Sequence, residues 1–419
     1  MKKILSLSTI FLIISSCLFG QTTKRVLFLG NSYTYVNNLP AILESLARNT
    51  GDSLFHDQNT PGGYTLQGHS TNSTSIALIK QGSWDYVVLQ EQSQKPSWPM
   101  SQVITEVFPY AKILSNTIVQ HNSCGKPLFF MTWGRKNGDA GNCASWPPVC
   151  TYAGMDSLLN LRYRMMADSN DAYVSPVGAV WHYIRDNHPS IELYSGDGSH
   201  PSPNGSYAAA CTFYSLVFQK DPSLITDNNG LDPIVAANIR AASKIVAFDS
   251  LAKWNVGKYV PEAQFTTNQS NDTVHFSNNS KYGDSYNWTF GDGTNSILFE
   301  PSHYYKQSGN YQVVLEVSKC GLNDTISKNI QITLSSIESN IDLISKIYPN
   351  PISNQINLEF KKAEKLNNIL FYDLNGKIIK SFGNLEGQYI KLIIENLAQG
   401  TYLLQFEIEG RVYQHKIIK

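Results

Sequence analysis

A serine and an aspartate–histidine pair in this chain have the residue types that nucleophilic catalysis requires. Ser32 closely follows the apolar run 26–29, and Asp197 precedes His200 by three residues. A serine hydroxyl is a weak nucleophile until a base takes its proton, and the base needs a third group to hold its tautomer. A serine at such a turn also commonly caps a helix. The pair therefore supports the prediction of acyl transfer by Ser32, with His200 as base and Asp197 as its orienting acid.

Ser32 must be positioned by a strand before it and a helix after it. Residues 26–29 are continuously apolar, as in a strand buried on both faces of a parallel sheet. Ser32 then lies at the carboxyl end of that strand, where open α/β sheets bind ligands. Alternation of such runs with helical periodicity predicts strands over 25–29, 53–58, 86–90, 128–132 and 172–176. The helices are predicted over 39–49, 73–81, 103–120, 155–167, 178–186, 204–219 and 232–253.

Residues from about 24 to 255 resemble the SGNH, or GDSL-like, hydrolases. Gly30-Asn31-Ser32 is similar to the family's first block, Gly-Asp-Ser, and Asp197 to His200 with Pro201 is similar to its last block. The resemblance implies a three-layer, flavodoxin-like α/β domain over residues 21–256, with a five-stranded parallel sheet. It also implies a serine esterase that needs no metal or organic cofactor. Asn31 replaces an aspartate that is not the family's triad acid, so the triad prediction is unaffected.

The resemblance further implies an oxyanion hole with three donors. Two are backbone N–H groups, of Ser32 and of a glycine after the second strand, for which Gly63 matches best and Gly62 next. The third is a side-chain amide after the third strand. The family's asparagine is missing there; Gln92 lies at its position, and Gln90 is the alternative.

Three neighbours of these blocks carry separate expectations. Glu91 is predicted to be a salt-bridged surface residue rather than a group behind the site. His69 is predicted to be a structural or solvated loop residue. Trp133 either walls a substrate pocket or packs in the core.

Charge and motif content exclude several classes of partner. Lys+Arg and Asp+Glu both number 33, so no basic surface is predicted for nucleic acid or for an anionic membrane. No Cys-x-x-Cys or His-Glu-x-x-His motif is present, so a zinc site is not predicted. We expect a monomer whose partners are an acylated carbohydrate or small ester substrate and, as described below, a secretion apparatus.

The cysteines suggest an oxidising compartment. Cys143 and Cys150 bracket a short loop that a disulfide could close. Cys124 and Cys211 either pair or remain buried thiols, and Cys320 lies in a later domain without an assigned partner.

The amino-terminal end has the pattern of a signal peptide over residues 1–20. Two lysines precede an apolar run over 4–14 that is too short to span a bilayer, and small residues follow. Cleavage before Gln21 is predicted, with lipidation of Cys17 as the alternative. No later segment is long and apolar enough to be transmembrane.

Two further regions resemble known domains. Residues 261–334, with the segment Asn287 to Gly293, resemble a PKD-type β-sandwich, which implies a spacer or a glycan-binding module. Residues 345–419 resemble the C-terminal sorting domain of type 9 secretion cargo, through Tyr-Pro-Asn-Pro at 348–351, a Leu-x-x-Gly-x-Tyr motif and a basic end. That resemblance implies export across the outer membrane by the type 9 machinery, followed by release or cell-surface attachment.

The function predicted from these features is an exported esterase that deacetylates glycans or polysaccharides. The alternative is a non-catalytic surface adhesin or glycan-binding protein on a hydrolase-like fold. The feature that keeps this alternative open is the missing asparagine after the third strand.

Overall fold

A computed structural model describes residues 21–270, 273–333 and 343–419. The predicted signal peptide and most of the linker after residue 334 lie outside the described residues. Within them, no helix is long and apolar enough to cross a bilayer. The chain divides into two compact units. The first contains the residues up to Gln264 together with 279–287 and 315–326, and the second contains 265–278, 288–314 and the residues from Ser327 onward.

The first unit is built on a parallel sheet in the order β2-β1-β3-β4-β5. Val26 to Leu29 of β1, which lies between β2 and β3, are fully buried. Burial of each such side chain stabilises the fold by about 1.5–3 kcal/mol, which explains why this run forms an interior strand of the sheet. The strands are β1 (Thr23–Leu29), β2 (Ser53–Asn59), β3 (Tyr86–Leu89), β4 (Lys126–Phe130) and β5 (Tyr173–Ser175).

Helices cover both faces of this sheet because alternate strand residues enter two separate cores. Val26 and Phe28 pack in one core with α2, α8, α9 and α10, and Leu27 and Leu29 pack in the other with α3 to α7. The helices are α1 (Ser32–Tyr35), α2 (Leu39–Asn49), α3 (Leu66–Thr71), α4 (Ser73–Lys80), α5 (Met100–Glu106), α6 (Phe108–His121), α7 (Tyr152–Asp168), α8 (Val177–Asn187), α9 (Pro203–Val217) and α10 (Pro233–Val246).

The predicted strand–helix alternation is confirmed, but the short helices α1 and α3 were not predicted, and two of the predicted helices differ. The single helix expected over 103–120 is two helices, because Pro109 lacks the N–H that would continue the first helix, and Val107 leaves the helical conformation. The helix expected over 232–253 ends at Val246 and continues as a 3-10 segment over Phe248–Trp254.

The region after residue 264 is all-β and antiparallel, as predicted. It begins with β6 (Phe265–Ser270), β7 (Thr273–Asn278), β8 (Ser285–Thr289), β9 (Asn295–Ser296), β10 (Ser302–Tyr304), β11 (Gly309–Lys319) and β12 (Leu322–Ile332), in sheets ordered β10-β7-β6 and β12-β11-β8-β9. Within the second unit, Trp288 is fully buried, with its ring 5.1 Å from Phe265 and 5.2 Å from Phe276. The alternation of Trp288 and Phe290 onto one face thus forms a compact aromatic core.

The carboxyl-terminal strands form a separate antiparallel sheet with its own core. β14 pairs with β13, β15 and β16, and β16 pairs with β17. Alternate residues of β16, beginning at Tyr402, are buried, as expected for strands with one face on a core. The strands are β13 (Ile344–Tyr348), β14 (Gln355–Asp373), β15 (Ile378–Ile393), β16 (Thr401–Ile408) and β17 (Arg411–Ile418).

The disulfides differ in part from the sequence interpretation. Cys143 and Cys150 are bonded, as considered. Cys124 pairs with Cys320, 196 residues away in sequence and in the same compact unit, while Cys211 is a buried free thiol. Pairing of Cys124 with Cys211 was therefore wrong. Cys211 lies inside α9, in the core on one face of the sheet, and the other cysteines among the described residues are paired elsewhere.

His69 forms hydrogen bonds to the turn that follows β1 and to the start of α4. Its ring Nε2 donates to the Gly30 carbonyl at 2.9 Å, and Nδ1 lies 2.8 Å from Ser75 Oγ at the start of α4. The side chain is fully buried, and burial lowers the pKa of this imidazole to about 4, despite the hydrogen bond to Gly30. The expectation of a structural role for His69 fits these contacts.

Removal of the long-range disulfide should destabilise the first unit. A Cys124→Ser, Cys320→Ser double variant frees a loop of 196 residues in the unfolded chain, so we expect a loss of about 2–4 kcal/mol in the free energy of unfolding. Urea titration followed by tryptophan fluorescence measures this loss. With reductant present, the unfolding curves of the wild type and the double variant should coincide. Identical curves for these two proteins without reductant would contradict the prediction.

His69 should make the first unit less stable in acid. The unfolded imidazole titrates near its ordinary pKa of about 6.5, whereas the folded one stays neutral down to about pH 4. As the pH falls between these values, only the unfolded state gains the proton, and stability falls by up to roughly 3 kcal/mol. In a His69→Gln variant, the free energy of unfolding should lose this pH dependence. His121→Gln, which replaces an exposed histidine of α6, should retain it.

Candidate active site

Ser32 is the first residue of α1, three residues beyond the end of β1. Asn31 caps this short helix, with its side-chain oxygen accepting from the Tyr33 N–H at 3.2 Å. The backbone before the cap must be glycine, since a Cβ on Gly30 would lie 2.6 Å from Thr34 Oγ1 and 2.7 Å from Gln90 Oε1. The turn thus presents the Ser32 hydroxyl at the carboxyl edge of the sheet.

The Asp-x-x-His segment is a closed loop between α8 and α9. The Ser195 N–H donates to the His200 carbonyl at 2.8 Å, and Gly198 takes a φ of +67°, which favours glycine. Asp197 Oδ1 accepts the backbone N–H groups of Ser199 (2.9 Å) and His200 (3.0 Å). The aspartate therefore organises its own loop before it contacts the histidine ring.

The three side chains predicted from sequence come together at this edge. His200 Nε2 lies 2.9 Å from Ser32 Oγ, and His200 Nδ1 lies 2.5 Å from Asp197 Oδ2. Partial burial acts to raise the pKa of the Asp197 carboxyl, but hydrogen bonds from His200 and Ser199 outweigh it and lower the pKa to about 2. The carboxylate is thus ionised at neutral pH and can hold Nδ1–H, leaving Nε2 to face the serine.

A stack of aromatic rings supports the histidine loop from the core side. Tyr33 lies parallel to Trp133 at 4.6 Å, and Trp133 lies parallel to Trp181 at 3.7 Å. Trp133 Nε1 donates to the Ser199 carbonyl at 3.0 Å, and the Tyr33 hydroxyl lies 2.6 Å from Ser199 Oγ. Trp133 is fully buried, so of its two expected roles the structure assigns core packing.

Ser32 and Gly63 follow adjacent strands, β1 and β2, at the same edge of the sheet. Gly63 has a φ of +67°, so the turn after β2 favours glycine at this position. The neighbouring Gly62 faces Tyr35, whose hydroxyl would lie 3.9 Å from an added Cβ.

The two candidate glutamines after β3 have different environments. Gln90 is fully buried, and its Nε2 donates both hydrogens, to Asn31 Oδ1 at 2.7 Å and to the Glu91 carbonyl at 2.9 Å. Gln92 is half-buried; its Nε2 donates one hydrogen, to Gln94 Oε1 at 3.1 Å, and its Oε1 accepts the Gln94 N–H. An amide nitrogen carries two hydrogens, so Gln92 retains one for another acceptor.

The prediction for Glu91 was wrong, and Asn31 has contacts that the sequence did not indicate. Glu91 is fully buried rather than salt-bridged at the surface, because it turns inward behind β3 and accepts backbone N–H groups. Asn31 received no role, yet its Nδ2 donates to the Tyr64 carbonyl at 2.9 Å, joining the loops after β1 and β2. The sequence signal for these contacts was that amide side chains follow a short buried strand. Buried amides need hydrogen-bond partners.

The site's donors do not resemble a metal centre. Across the described ranges, no group of three or more His, Cys, Asp or Glu residues is placed to hold a metal ion.

Comparisons with known proteins identify two of the three regions. Residues 259–334 match the family described as PKD domain, and residues 346–419 match the secretion system C-terminal sorting domain. The PKD1 domain of Vibrio anguillarum Epp is 31% identical, with 18% of this chain and 96% of that chain covered and a TM-score of 0.18. A search among curated proteins finds no match.

Solved structures similar to the chain also include two larger α/β proteins. A DUF4886 family protein from Bacteroides uniformis is 17% identical, with 56% of this chain and 96% of that chain covered and a TM-score of 0.47. A protein from Slackia heliotrinireducens, provisionally described as an SGNH hydrolase, is 26% identical, with 46% and 97% covered and a TM-score of 0.38.

Two of the resemblances seen in the sequence, to a PKD domain and to a sorting domain, are thus confirmed by family models. The sorting domain marks the chain for export by a secretion system. The chain is therefore a multidomain protein in which a parallel α/β domain precedes a region that matches the PKD domain family and a region that matches the secretion system C-terminal sorting domain.

Proposed function

We propose that this protein is an exported serine esterase that deacetylates glycans or polysaccharides. The observation that carries the proposal is the unbroken chain of contacts from Ser32 Oγ through the His200 ring to Asp197, at 2.9 and 2.5 Å. A non-catalytic adhesin would not require this alignment of nucleophile, base and ionised acid.

The reaction follows from the direction of these hydrogen bonds. His200 Nε2 takes the Ser32 proton as the serine oxygen attacks an ester carbonyl, and Asp197 stabilises the imidazolium that forms. His200 then gives the proton to the leaving alcohol, and Ser32 is left as an acyl ester. A water molecule, deprotonated by His200, attacks that ester and releases the acid with the serine restored.

We propose the backbone N–H groups of Ser32 and Gly63 and the side-chain amide of Gln92 as the oxyanion hole. The spare Nε2 hydrogen of Gln92 favours it over Gln90, whose two hydrogens are already donated inside the protein. Each donor aimed at the developing oxyanion contributes about 3 kcal/mol in comparable acyl-transfer sites.

The exposure of the triad favours a bulky alcohol component. The side chains of His200 and Asp197 are 36% and 49% exposed, so the nucleophile lies near the surface, where a polymer chain can approach. Export by the sorting domain would bring the enzyme to extracellular polysaccharides, and the PKD domain would serve as a spacer or a glycan-binding module. We also propose domain boundaries at 21–256, 261–334 and 345–419, with a signal peptide over 1–20.

Loss of the nucleophile should abolish ester hydrolysis. With p-nitrophenyl acetate, Ser32→Ala should lower kcat by more than about 1,000-fold, and adding His200→Ala should cost little more, because triad residues act as one unit. Unchanged melting temperatures would show that the variants fold. Equal activity of Ser32→Ala and the wild type would contradict the assignment of the nucleophile.

The glycan substrate is tested by acetate release from acetylated polysaccharides. The wild type should release acetate from an acetylated xylan or a similar polymer, and Ser32→Ala should release none above background. Hydrolysis of p-nitrophenyl acetate without acetate release from any acetylated glycan would support the esterase activity but would exclude acetylated glycans as the substrate class.

A further inference from the structure

Glu91 is a buried carboxylate that the proposed mechanism does not use. It lies two residues beyond the end of β3 and is fully buried. Among the described residues it forms no salt bridge; the nearby Lys95 is paired with Glu106 at 3.0 Å instead. Burying an ionised carboxylate without a cation is costly unless several hydrogen bonds compensate, so the contacts of Glu91 need an explanation.

Both oxygens of Glu91 accept backbone N–H groups from loops at the catalytic edge. Oε1 accepts the Gln92 N–H at 2.7 Å, and Oε2 accepts the Leu66 N–H at 3.2 Å. Leu66 begins α3, three residues after Gly63. The carboxylate thus joins the turn after β2 to the segment after β3, which carry two of the three proposed oxyanion donors.

An ionised carboxylate suits this position better than its neutral isostere. Both partners are donors, and only a carboxylate offers an acceptor at each of its two positions. A glutamine would direct an NH₂ group at one of the backbone N–H groups, and that N–H would be left without a partner in the interior. The displaced segment would carry Gly63 or Gln92 with it.

We propose that Glu91 is a positioning residue for the oxyanion hole. Its ionised carboxylate holds the Gly63 turn and the Gln92 segment at their catalytic spacing. The inference rests on the proposed esterase function and adds to it a role for a residue that does not touch the substrate.

The charges around Glu91 make this positioning sensitive to pH. Burial raises the pKa of the Glu91 carboxyl to about 7, although the N–H groups of Gln92 and Leu66 and the charge of Lys95 act to lower it, while Glu106 acts to raise it. From α7, Tyr163 faces the same region, and burial raises the pKa of its phenol so that it stays neutral. On α3, His69 is directed at Gly30 and Ser75 and is neutral near pH 7.

Protonation of Glu91 should therefore loosen the oxyanion hole as the pH falls below about 7. The base that accepts the Ser32 proton must itself be unprotonated, so kcat/KM already requires one deprotonated group, and Glu91 adds a second. The acid limb of log(kcat/KM) should then be steeper than one, because a single essential group gives a slope of one.

The experiment compares the full chain with Glu91→Gln, using p-nitrophenyl acetate between about pH 5 and 8. We expect Glu91→Gln to lower kcat by roughly 10- to 100-fold, with KM changed less than about twofold, since loss of a whole oxyanion donor costs about 100- to 1,000-fold in kcat. The acid limb of log(kcat/KM) for Glu91→Gln should have a slope of one. Glu106→Gln is the control for loss of a nearby carboxylate, because this residue lies on α5 and is half-exposed. Its kcat at pH 8 should be unchanged and its acid limb should stay steeper than one. The limb should move to lower pH, because the Glu106 charge acts to raise the pKa of Glu91.

Glu91→Gln with wild-type kcat and an unchanged slope would overturn the proposal. If Glu91→Gln does not fold, the pH profile of the wild type tests the proposal instead. A slope of one in the acid limb of its log(kcat/KM) would then overturn the proposal. Fluorescence must show that the wild type stays folded across the pH range. An active wild type whose Ser32→Ala variant is equally active would instead refute the proposed function, and the role of Glu91 with it.

Discussion

The catalytic edge depends on the reciprocal hydrogen bonds between Asn31 and Gln90. The Asn31 N–H donates to Gln90 Oε1, and Gln90 Nε2 donates back to Asn31 Oδ1. These bonds join the ends of β1 and β3 in the interior, where an unpaired amide would cost about 1–3 kcal/mol. A side chain at position 30 would disturb these bonds, because its Cβ would lie 2.7 Å from Gln90 Oε1. The position of Ser32 therefore follows from the sheet, with little freedom left to the loop.

The same pair explains why asparagine is suitable before the nucleophile in this chain. Asn31 Nδ2 donates to the carbonyls of Tyr64 and Glu91. An aspartate would place an acceptor against these two acceptors and would repel them. Asn31 thus joins the segments that follow three strands by hydrogen bonds, and it takes no part in the triad.

A second set of interactions brings the histidine to the serine across 168 residues of sequence. The turn of the Asp197 loop is local, since its aspartate accepts N–H groups from its own segment. Its placement is not local, because the stacked rings of Tyr33, Trp133 and Trp181 come from three separate elements. The nucleophile segment and the base loop share this support through Ser199, so packing of the core and alignment of the triad are coupled.

The sequence by itself determined the strand–helix alternation, the order Ser32, Asp197, His200 and the two β-rich regions. These depend on local periodicity and on short motifs, which a linear chain displays directly. Tertiary structure alone decided that Glu91 is buried, that Cys124 pairs with Cys320, and that Gln90 is occupied inside the protein. Each of these depends on which distant groups meet in the interior, and a buried polar atom takes its role from the partner that satisfies it.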